Sequence, residues 1–358
     1  MLSRASTFAL LLSALMTGGL SIFPIDSSSA AAASFSQPTY VVVGGGHVWV
    51  ASASSTVTEL NENSGAVVQA INSLPSHAVQ GLSNAGIVLS GANVWVANSA
   101  VDAVSQLNAS NGSLVRAVSG TTGGAFRGAP ITAGPSRPYI SGIALSGGRL
   151  WIAIMTDAGG WVTEINSQNG SLIRVIKSPA DEFQRVSALT VSGAHVWVAN
   201  YDAGVTELNA SNGSLVRVIN RHGDGFDGPN AIAVVGDEVL VSNHLGNSVT
   251  ELNASDGSLV RIISNQRYGL DEPSALAARG SDVWVTNEND ANNDGRGSVV
   301  ELNVSNGSLV RRINARADKF SSPAGIAIGG THLWITNQTG NTVTELNTSN
   351  GSLVRNIN

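Results

Sequence analysis

Residues 191–219 read VSGAHVWVANYDAGVTELNASNGSLVRVI, and variants of this stretch recur seven times along the 358-residue chain. Two markers define the repeat. One is an apolar triplet, Val196-Trp197-Val198 in this copy, and the other is a Glu-Leu-Asn triplet that follows about ten residues later. Both markers return together in every copy, with only small changes of residue. Self-similarity at a regular spacing indicates a repeat architecture.

Each repeat is predicted to form four strands, A to D. In the fifth copy these cover residues 231–235, 239–243, 248–253 and 258–263. The runs are rich in Val, Ile and Thr, and turn-forming Gly, Asn, Asp and Ser separate them. Six copies have Asn-Gly or Asp-Gly between strands C and D, which favours a tight hairpin. Four strands repeated seven times predict an all-β fold, a seven-bladed β-propeller with four antiparallel strands per blade.

Two regular features are interpreted as scaffold. The C-strand residue of the Glu-Leu-Asn triplet lies ten positions before a D-strand partner, as in Glu207 and Arg217, so the two should face each other across the hairpin. An opposite-charge pair in such a position contributes about 0.2–1 kcal/mol. The tryptophans of six copies are expected to pack between blades: Trp49, Trp95, Trp151, Trp197, Trp284 and Trp334. Trp161 falls outside this series and is predicted to be an exposed aromatic residue.

The N-terminal residues are predicted to be a targeting segment. Arg4 precedes a short apolar run, and small residues follow near Ala33, a pattern typical of a secretory signal peptide. We expect a signal peptide over 1–33, a leader over 34–38 and a single propeller domain over 39–358, with an uncleaved anchor as the alternative. The expected location is extracellular or periplasmic, with no membrane span beyond the signal. The sequence contains no cysteine, which excludes disulfides.

The charge balance limits the partners that we expect. The net charge is −6 and no cluster of Lys and Arg occurs, so duplex nucleic acid is disfavoured. The remaining classes are a protein, a glycan or a small molecule, bound by a monomer.

Residues 39–358 resemble the seven-bladed propellers of the NHL, YVTN and Vgb-like repeat families, because runs such as WVAN and VTELN stand where those blades have similar sequences. The resemblance implies the propeller fold, and it specifies little about function because those families differ in what they do. Since both terminal repeats carry a complete set of strands, closure of the ring is expected to depend on packing of the seventh blade against the first, without a shared strand.

One loop of the sixth repeat has the pattern of a calcium site. Asp290, Asn292 and Asp294 alternate before Gly295, and Glu301 stands at the twelfth position. The three oxygen-bearing side chains are the predicted calcium ligands. The alternative is an ordinary solvated loop rich in Asn, Asp and Gly. It is supported by the expected pairing of Glu301 with Arg311, which competes with a role of Glu301 in binding calcium.

Histidines occur at two kinds of position. His47, His195 and His332 share one place two residues before the tryptophan, where we interpret them as a polar rim of the channel. The D–A and B–C loops of a propeller share the other face, and polar residues are expected to gather there: Tyr201, Asp202, His222, Asp224, Asp227, His244 and Glu288.

Two functions are compatible with this loop-rich face. The favoured one is a secreted, non-catalytic binding or interaction module, with calcium as a structural ion. The alternative is a metal-dependent lyase or lactonase of the kind that the Vgb-like resemblance implies, with His222, His244 and Glu288 as its catalytic residues. Convergence of His222, His244, Glu288 and Asp290 at the channel mouth would favour the enzyme, and side chains that point apart would exclude it.

Overall fold

The computed structural model describes residues 35–53, 56–72, 86–99, 103–119, 138–157, 159–264, 266–289 and 296–358. It contains seven separate antiparallel sheets, each made of four strands that are consecutive in the chain. The predicted seven-bladed β-propeller is therefore confirmed. The sheet of the seventh blade takes no strand from the first, which also confirms the expected form of closure.

The strands follow chain order, from A to D in each blade. Blades 1 and 2 contain β1 (Pro38–Gly44), β2 (His47–Ser52), β3 (Thr56–Asn61), β4 (Val67–Ile71), β5 (Ile87–Ser90), β6 (Asn93–Asn98), β7 (Ala103–Asn108) and β8 (Leu114–Ser119). Blades 3 and 4 contain β9 (Tyr139–Ser146), β10 (Arg149–Thr156), β11 (Gly159–Asn166), β12 (Leu172–Ile176), β13 (Val186–Ser192), β14 (His195–Asn200), β15 (Val205–Asn209) and β16 (Leu215–Ile219). Blades 5 to 7 contain β17 (Pro229–Val235), β18 (Glu238–Asn243), β19 (Ser248–Asn253), β20 (Leu259–Ile263), β21 (Pro273–Arg279), β22 (Asp282–Asn287), β23 (Ser298–Asn303), β24 (Leu309–Ile313), β25 (Pro323–Gly329), β26 (His332–Asn337), β27 (Thr342–Asn347) and β28 (Leu353–Ile357). Among the described residues, three single 3-10 turns lie in D–A connections: Pro179–Asp181, Gln266–Tyr268 and Arg316–Asp318.

The hydrophobic core is divided among the contacts between blades. All six tryptophans of the repeat are at most 2% exposed, which confirms their predicted packing. In one cluster Trp197 of blade 4 packs with Val239 and Leu252 of blade 5. Another cluster joins Trp334 of blade 7 to Val48 of blade 1. The closing contact is therefore of the same apolar kind as the others.

The paired C- and D-strand residues lie opposite each other in the sheet, as predicted. The glutamates are much more buried than a surface pair would be. Glu207 is fully buried and its Oε2 lies 2.7 Å from Nε of Arg217, while its Oε1 lies 2.5 Å from Nδ1 of His195. His47 and His332 make the same contact with Glu59 and Glu345. These histidines therefore contact the glutamate of their own blade, and their interpretation as a polar rim of the channel stays a prediction.

The D-strand arginines of blades 3 to 7 also join each of these blades to the next one. Besides its own glutamate, Arg217 donates a 3.1 Å hydrogen bond to the carbonyl of Ser255, in the C–D turn of blade 5. Equivalent bonds run from Arg174, Arg261 and Arg311 to Ser211, Ser305 and Ser349. At the closure, Arg355 of blade 7 donates to the carbonyl of Asn63 in blade 1, at 2.9 Å. The pair predicted from the sequence is thus one half of a clamp between blades.

The N-terminal edge of blade 1 adds further contacts at the closure. Phe35 is buried in the same cluster as Trp334, and the backbone N–H of Gln37 donates to Oδ1 of Asn341. The Thr336 hydroxyl donates to the carbonyl of Thr39. Part of the segment expected to be a leader therefore packs on the propeller, and Pro38 already belongs to β1.

The glycine of each C–D turn has two structural roles, which can be separated by mutation. Gly257 has φ +69°, and a Cβ there would lie 2.7 Å from Cδ1 of Ile219 and 2.9 Å from Cδ of Arg217, both in blade 4. Gly193, in the A–B turn of blade 4, has φ +57° and no heavy atom within 4 Å of the same position. We expect Gly193→Ala to lower the free energy of unfolding by about 1 kcal/mol, the cost of the left-handed backbone alone.

Gly257→Ala should cost about 2–4 kcal/mol, because overpacking against blade 4 adds to the backbone cost. Urea denaturation of the two variants measures the difference. Equal losses would show that the turn glycine is selected for its backbone angle only.

Candidate functional site

The residue that ends strand B fixes the start of the B–C connection. It is a buried asparagine in five blades: Asn98, Asn200, Asn243, Asn287 and Asn337. In blade 5 the side-chain amide of Asn243 donates to Oγ of Ser248 (3.1 Å) and Oγ1 of Thr250 (3.0 Å) on strand C. Asn337 makes the matching bonds in blade 7. This asparagine therefore holds strands B and C together and sets the direction of the next residue.

A second set of bonds attaches the D–A connection to the same place. The Thr250 hydroxyl donates to the carbonyl of Asp224, and the Asp224 carboxylate accepts from the backbone N–H of Arg221. Thr206 and Thr344 donate in the same way to Asp181 and Asp318, whose carboxylates each accept a backbone N–H. Asp224 is thus a buried structural residue and takes no part in the polar surface expected from the sequence.

The A strands of the seven blades enclose a central channel, and a cavity of about 470 Å³ lies at its mouth on the side of the D–A and B–C connections. Residues that directly follow strand B line this cavity: Tyr201, His244, Glu288 and Gln338. Tyr139, Met155 and Arg185 complete that part of the wall. The four-stranded sheet is repeated in every blade, whereas the residues presented at the mouth differ from one blade to the next.

One side of the mouth is formed by a cation stacked on an aromatic ring. The guanidinium of Arg185 lies 4.7 Å from the ring centre of Tyr201 and 3.1 Å from Oδ1 of Asp202. Deeper in the wall, burial raises the pKa of Tyr40 to about 12, so its hydroxyl stays protonated at neutral pH. Burial also raises the pKa of Tyr139, while the charge of Arg185 lowers it. The part of the mouth formed by blades 3 and 4 therefore offers the aromatic faces of Tyr139 and Tyr201, and the Tyr139 hydroxyl donates to Sδ of Met155.

The other side of the mouth holds His244 and Glu288. Burial raises the pKa of the Glu288 carboxyl, the charge of His244 lowers it, and Glu272 raises it again. Nδ1 of His244 is shielded from solvent and has no hydrogen-bond partner among the described residues. The structure therefore places two of the three residues of the enzyme alternative on the wall of one cavity.

The third residue of that alternative lies elsewhere. His222 is exposed in the connection after β16 and is not part of the cavity wall. In the described part of the chain, no group of three or more His, Cys, Asp or Glu side chains is arranged to hold a metal ion. Asp290, Asn292 and Asp294 lie outside the described residues, so the calcium site stays a prediction.

Trp161 corrects a prediction from the sequence. It is only 4% exposed and packs in the apolar cluster of blades 2 and 3, so its interpretation as an exposed aromatic residue is wrong. The reason is that β10 and β11 are each eight residues long, which extends the hairpin of blade 3 and brings Trp161 opposite Ile154. The ammonium group of Lys177 lies 4.8 Å from the ring centre.

Sequence reasoning also missed the asparagine at the end of strand B. A signal was present, because VAN, VSN, VTN and ITN recur directly before the position that varies. The hydrogen bonds of this asparagine to hydroxyls on strand C explain the repetition.

Comparison with known proteins identifies the family of the chain. A family model described as outer membrane protein assembly factor BamB matches residues 91–356. The chain belongs to the BamB family. The finer resemblance to NHL, YVTN or Vgb-like propellers stays a prediction. No curated protein matches the chain.

Two solved structures show the likeness of fold. BamB from Moraxella catarrhalis has 16% sequence identity and a TM-score of 0.53, covering 85% of this chain and 80% of that one. The computationally designed Ika8 protein has 15% identity and a TM-score of 0.62, covering 90% and 88% of the two chains. At such identities the likeness concerns the fold alone. No helix in the described residues is long and apolar enough to cross a membrane.

Proposed function

We propose that this protein is a non-catalytic interaction module that works outside the cytoplasm and holds a partner protein on its loop-rich face. The observation that carries the proposal is the contrast between scaffold and mouth. Every blade repeats its apolar core and its C–D hairpin, and blades 3 to 7 repeat the arginine clamp, whereas the position after strand B reads Tyr201, His244, Glu288 and Gln338 in four successive blades. A surface that varies on a rigid scaffold is typical of recognition.

Two further points support this function. The description of the family names a role in assembling other proteins, which agrees with an interaction module. The mouth combines aromatic rings with an arginine, and these residue types are enriched where proteins bind one another. The predicted signal over 1–33 supports a location outside the cytoplasm, extracellular or periplasmic.

Photo-crosslinking from the two faces of the propeller tests the proposal. A photoreactive residue replaces Gln338 at the mouth in one variant, and in a matched variant it replaces Asn212, which is exposed in a C–D turn on the opposite face. Both proteins are irradiated in an envelope extract of the source organism. We expect discrete adducts with a defined partner protein from position 338 and none from position 212. Equal adducts from both positions, or no adduct from position 338, would contradict the function.

A further inference from the structure

Leu245 is an apolar residue that the fold leaves in solvent. It is 58% exposed, on the turn between β18 and β19 and next to His244 at the channel mouth. Every other strongly exposed large apolar side chain of the described residues lies on an outermost D strand. Leu245 is therefore the one such residue that the described chain presents on the loop-rich face.

The turn that carries Leu245 is held in one conformation. The N–H groups of Leu245 and Gly246 both donate to the carbonyl of Asp227, at 3.2 and 3.0 Å, and that of His244 donates to Gly228. Asn247 has φ +50°. The backbone of such a fixed turn loses little freedom when Leu245 becomes buried in an interface, which favours binding.

The fold does not require leucine at this position. The B–C turn of blade 7 is closely similar, because Asn341 has φ +52° and Gln338 donates its N–H to the carbonyl of Ser322, as His244 does to Gly228. The residue at the place of Leu245 in that turn is Thr339. The same backbone conformation therefore forms with a polar residue at this position, so the turn itself does not explain the exposed leucine.

The backbones of two glutamates are hydrogen-bonded to the same turn, one directly and one through the other. The backbone N–H of Glu272 donates to Oδ1 of Asn247 at 2.7 Å, and that of Glu288 donates to the carbonyl of Glu272. Asn289 donates a further bond to the Glu272 carboxylate. These bonds connect the backbones of two acidic residues to the turn that carries the exposed Leu245, and Glu288 lines the cavity.

We propose that the patch formed by Leu245, Glu272 and Glu288 binds a segment of the partner protein that has an apolar side chain next to a lysine or arginine. This inference rests on the proposed function and adds the chemistry of the partner. The apolar side chain packs on Leu245, and the neighbouring cation lies against the two carboxylates. Electrostatic complementarity of this kind gives an interface specificity and makes its affinity sensitive to salt.

Selection of peptides from a random twelve-residue phage library against the full-length protein tests this pairing. Leu245→Thr introduces the residue of the blade 7 turn and should leave the fold unchanged. Val310→Thr removes an exposed apolar side chain from an outer D strand and serves as the control for nonspecific binding to exposed apolar residues. We expect the selected peptides to combine Leu, Ile, Val or Phe with Lys or Arg within two positions.

Binding of the selected peptides should weaken at least tenfold with Leu245→Thr and stay unchanged with Val310→Thr. The double variant Glu272→Gln/Glu288→Gln should weaken binding at least fivefold and reduce its dependence on salt. Peptides that lack the cationic residue, or that bind the Leu245→Thr protein equally well, would overturn the inference. Failure of the inference can be separated from failure of the proposed function, because crosslinking at position 338 does not depend on Leu245.

Discussion

Replacing Trp334 by alanine is expected to lower the free energy of unfolding by about 3–5 kcal/mol. Trp334 is fully buried and packs with Phe35, Val48 and Leu60, so its removal leaves a cavity in the contact that closes the ring. Blade 5 carries Leu240 at the equivalent position, also fully buried. Trp334→Leu should therefore cost less, about 1–2 kcal/mol. Urea denaturation followed by tryptophan fluorescence measures both losses.

Trp197→Ala provides the matched control inside the ring, because Trp197 fills the same position between blades 4 and 5. If all contacts between blades are of one kind, the two alanine variants should lose similar stability. A loss below about 1 kcal/mol for Trp334→Ala would show that the closing contact contributes little. A much larger loss than for Trp197→Ala would show that the ring depends on it more than on the others.

Replacing Arg355 by alanine is expected to destabilise the protein in a pH-dependent way. Burial raises the pKa of Glu345 from 4.5 to about 7, while Arg355 lowers it and Glu62 raises it. A carboxyl whose pKa is higher in the folded than in the unfolded protein stabilises the fold fully below about pH 4.5, and that contribution is lost as the pH rises through 7. Without Arg355 the pKa of Glu345 rises further. The variant therefore loses most stability at the higher pH values, at which Glu345 is ionised in the unaltered protein.

At pH 5, where Glu345 is protonated, the loss should be about 1 kcal/mol, because mainly the hydrogen bond to the Asn63 carbonyl disappears. At pH 8.5 it should reach about 3 kcal/mol, since a buried carboxylate has lost its cationic partner. His332 also contacts Glu345, but it is present in both proteins. The double variant Arg355→Ala/Glu345→Gln should show no such rise with pH. A loss that is the same at both pH values would contradict the mechanism.

The fold was predictable because its signals are local. The period-two strands, the Asn-Gly hairpins and the offset of ten between Glu207 and Arg217 all lie within one blade, and the sheet register confirms them. The second contact of Arg217, with Ser255 of the next blade, could not be predicted, because a repeat does not show which atoms of its neighbour it touches. Trp161 was misjudged for a similar reason, since its burial depends on the length of a hairpin.

The candidate site was predicted in part. His244 and Glu288 were expected near the channel mouth and the structure places them there, because each directly follows the buried asparagine of its strand B. His222 and Asp224 belong to a D–A connection, where the hydrogen bonds of Asp224 leave His222 facing solvent. Leu245 gave no sequence signal, since one leucine in a polar loop becomes informative only when its exposure is known.

The arginine clamps of blades 3 to 7 all run in the same rotational sense, from the D strand to the C–D turn of the following blade, and the bond from Arg355 to Asn63 continues that sense across the closure. Head-to-tail contacts produce a closed ring when the rotation from one unit to the next divides a full turn evenly, as between the subunits of a cyclic oligomer. Here the units are blades of a single chain. The apolar clusters complete the circle, because each blade shares one cluster with the blade before it and one with the blade after it. In this molecule no blade occupies an end.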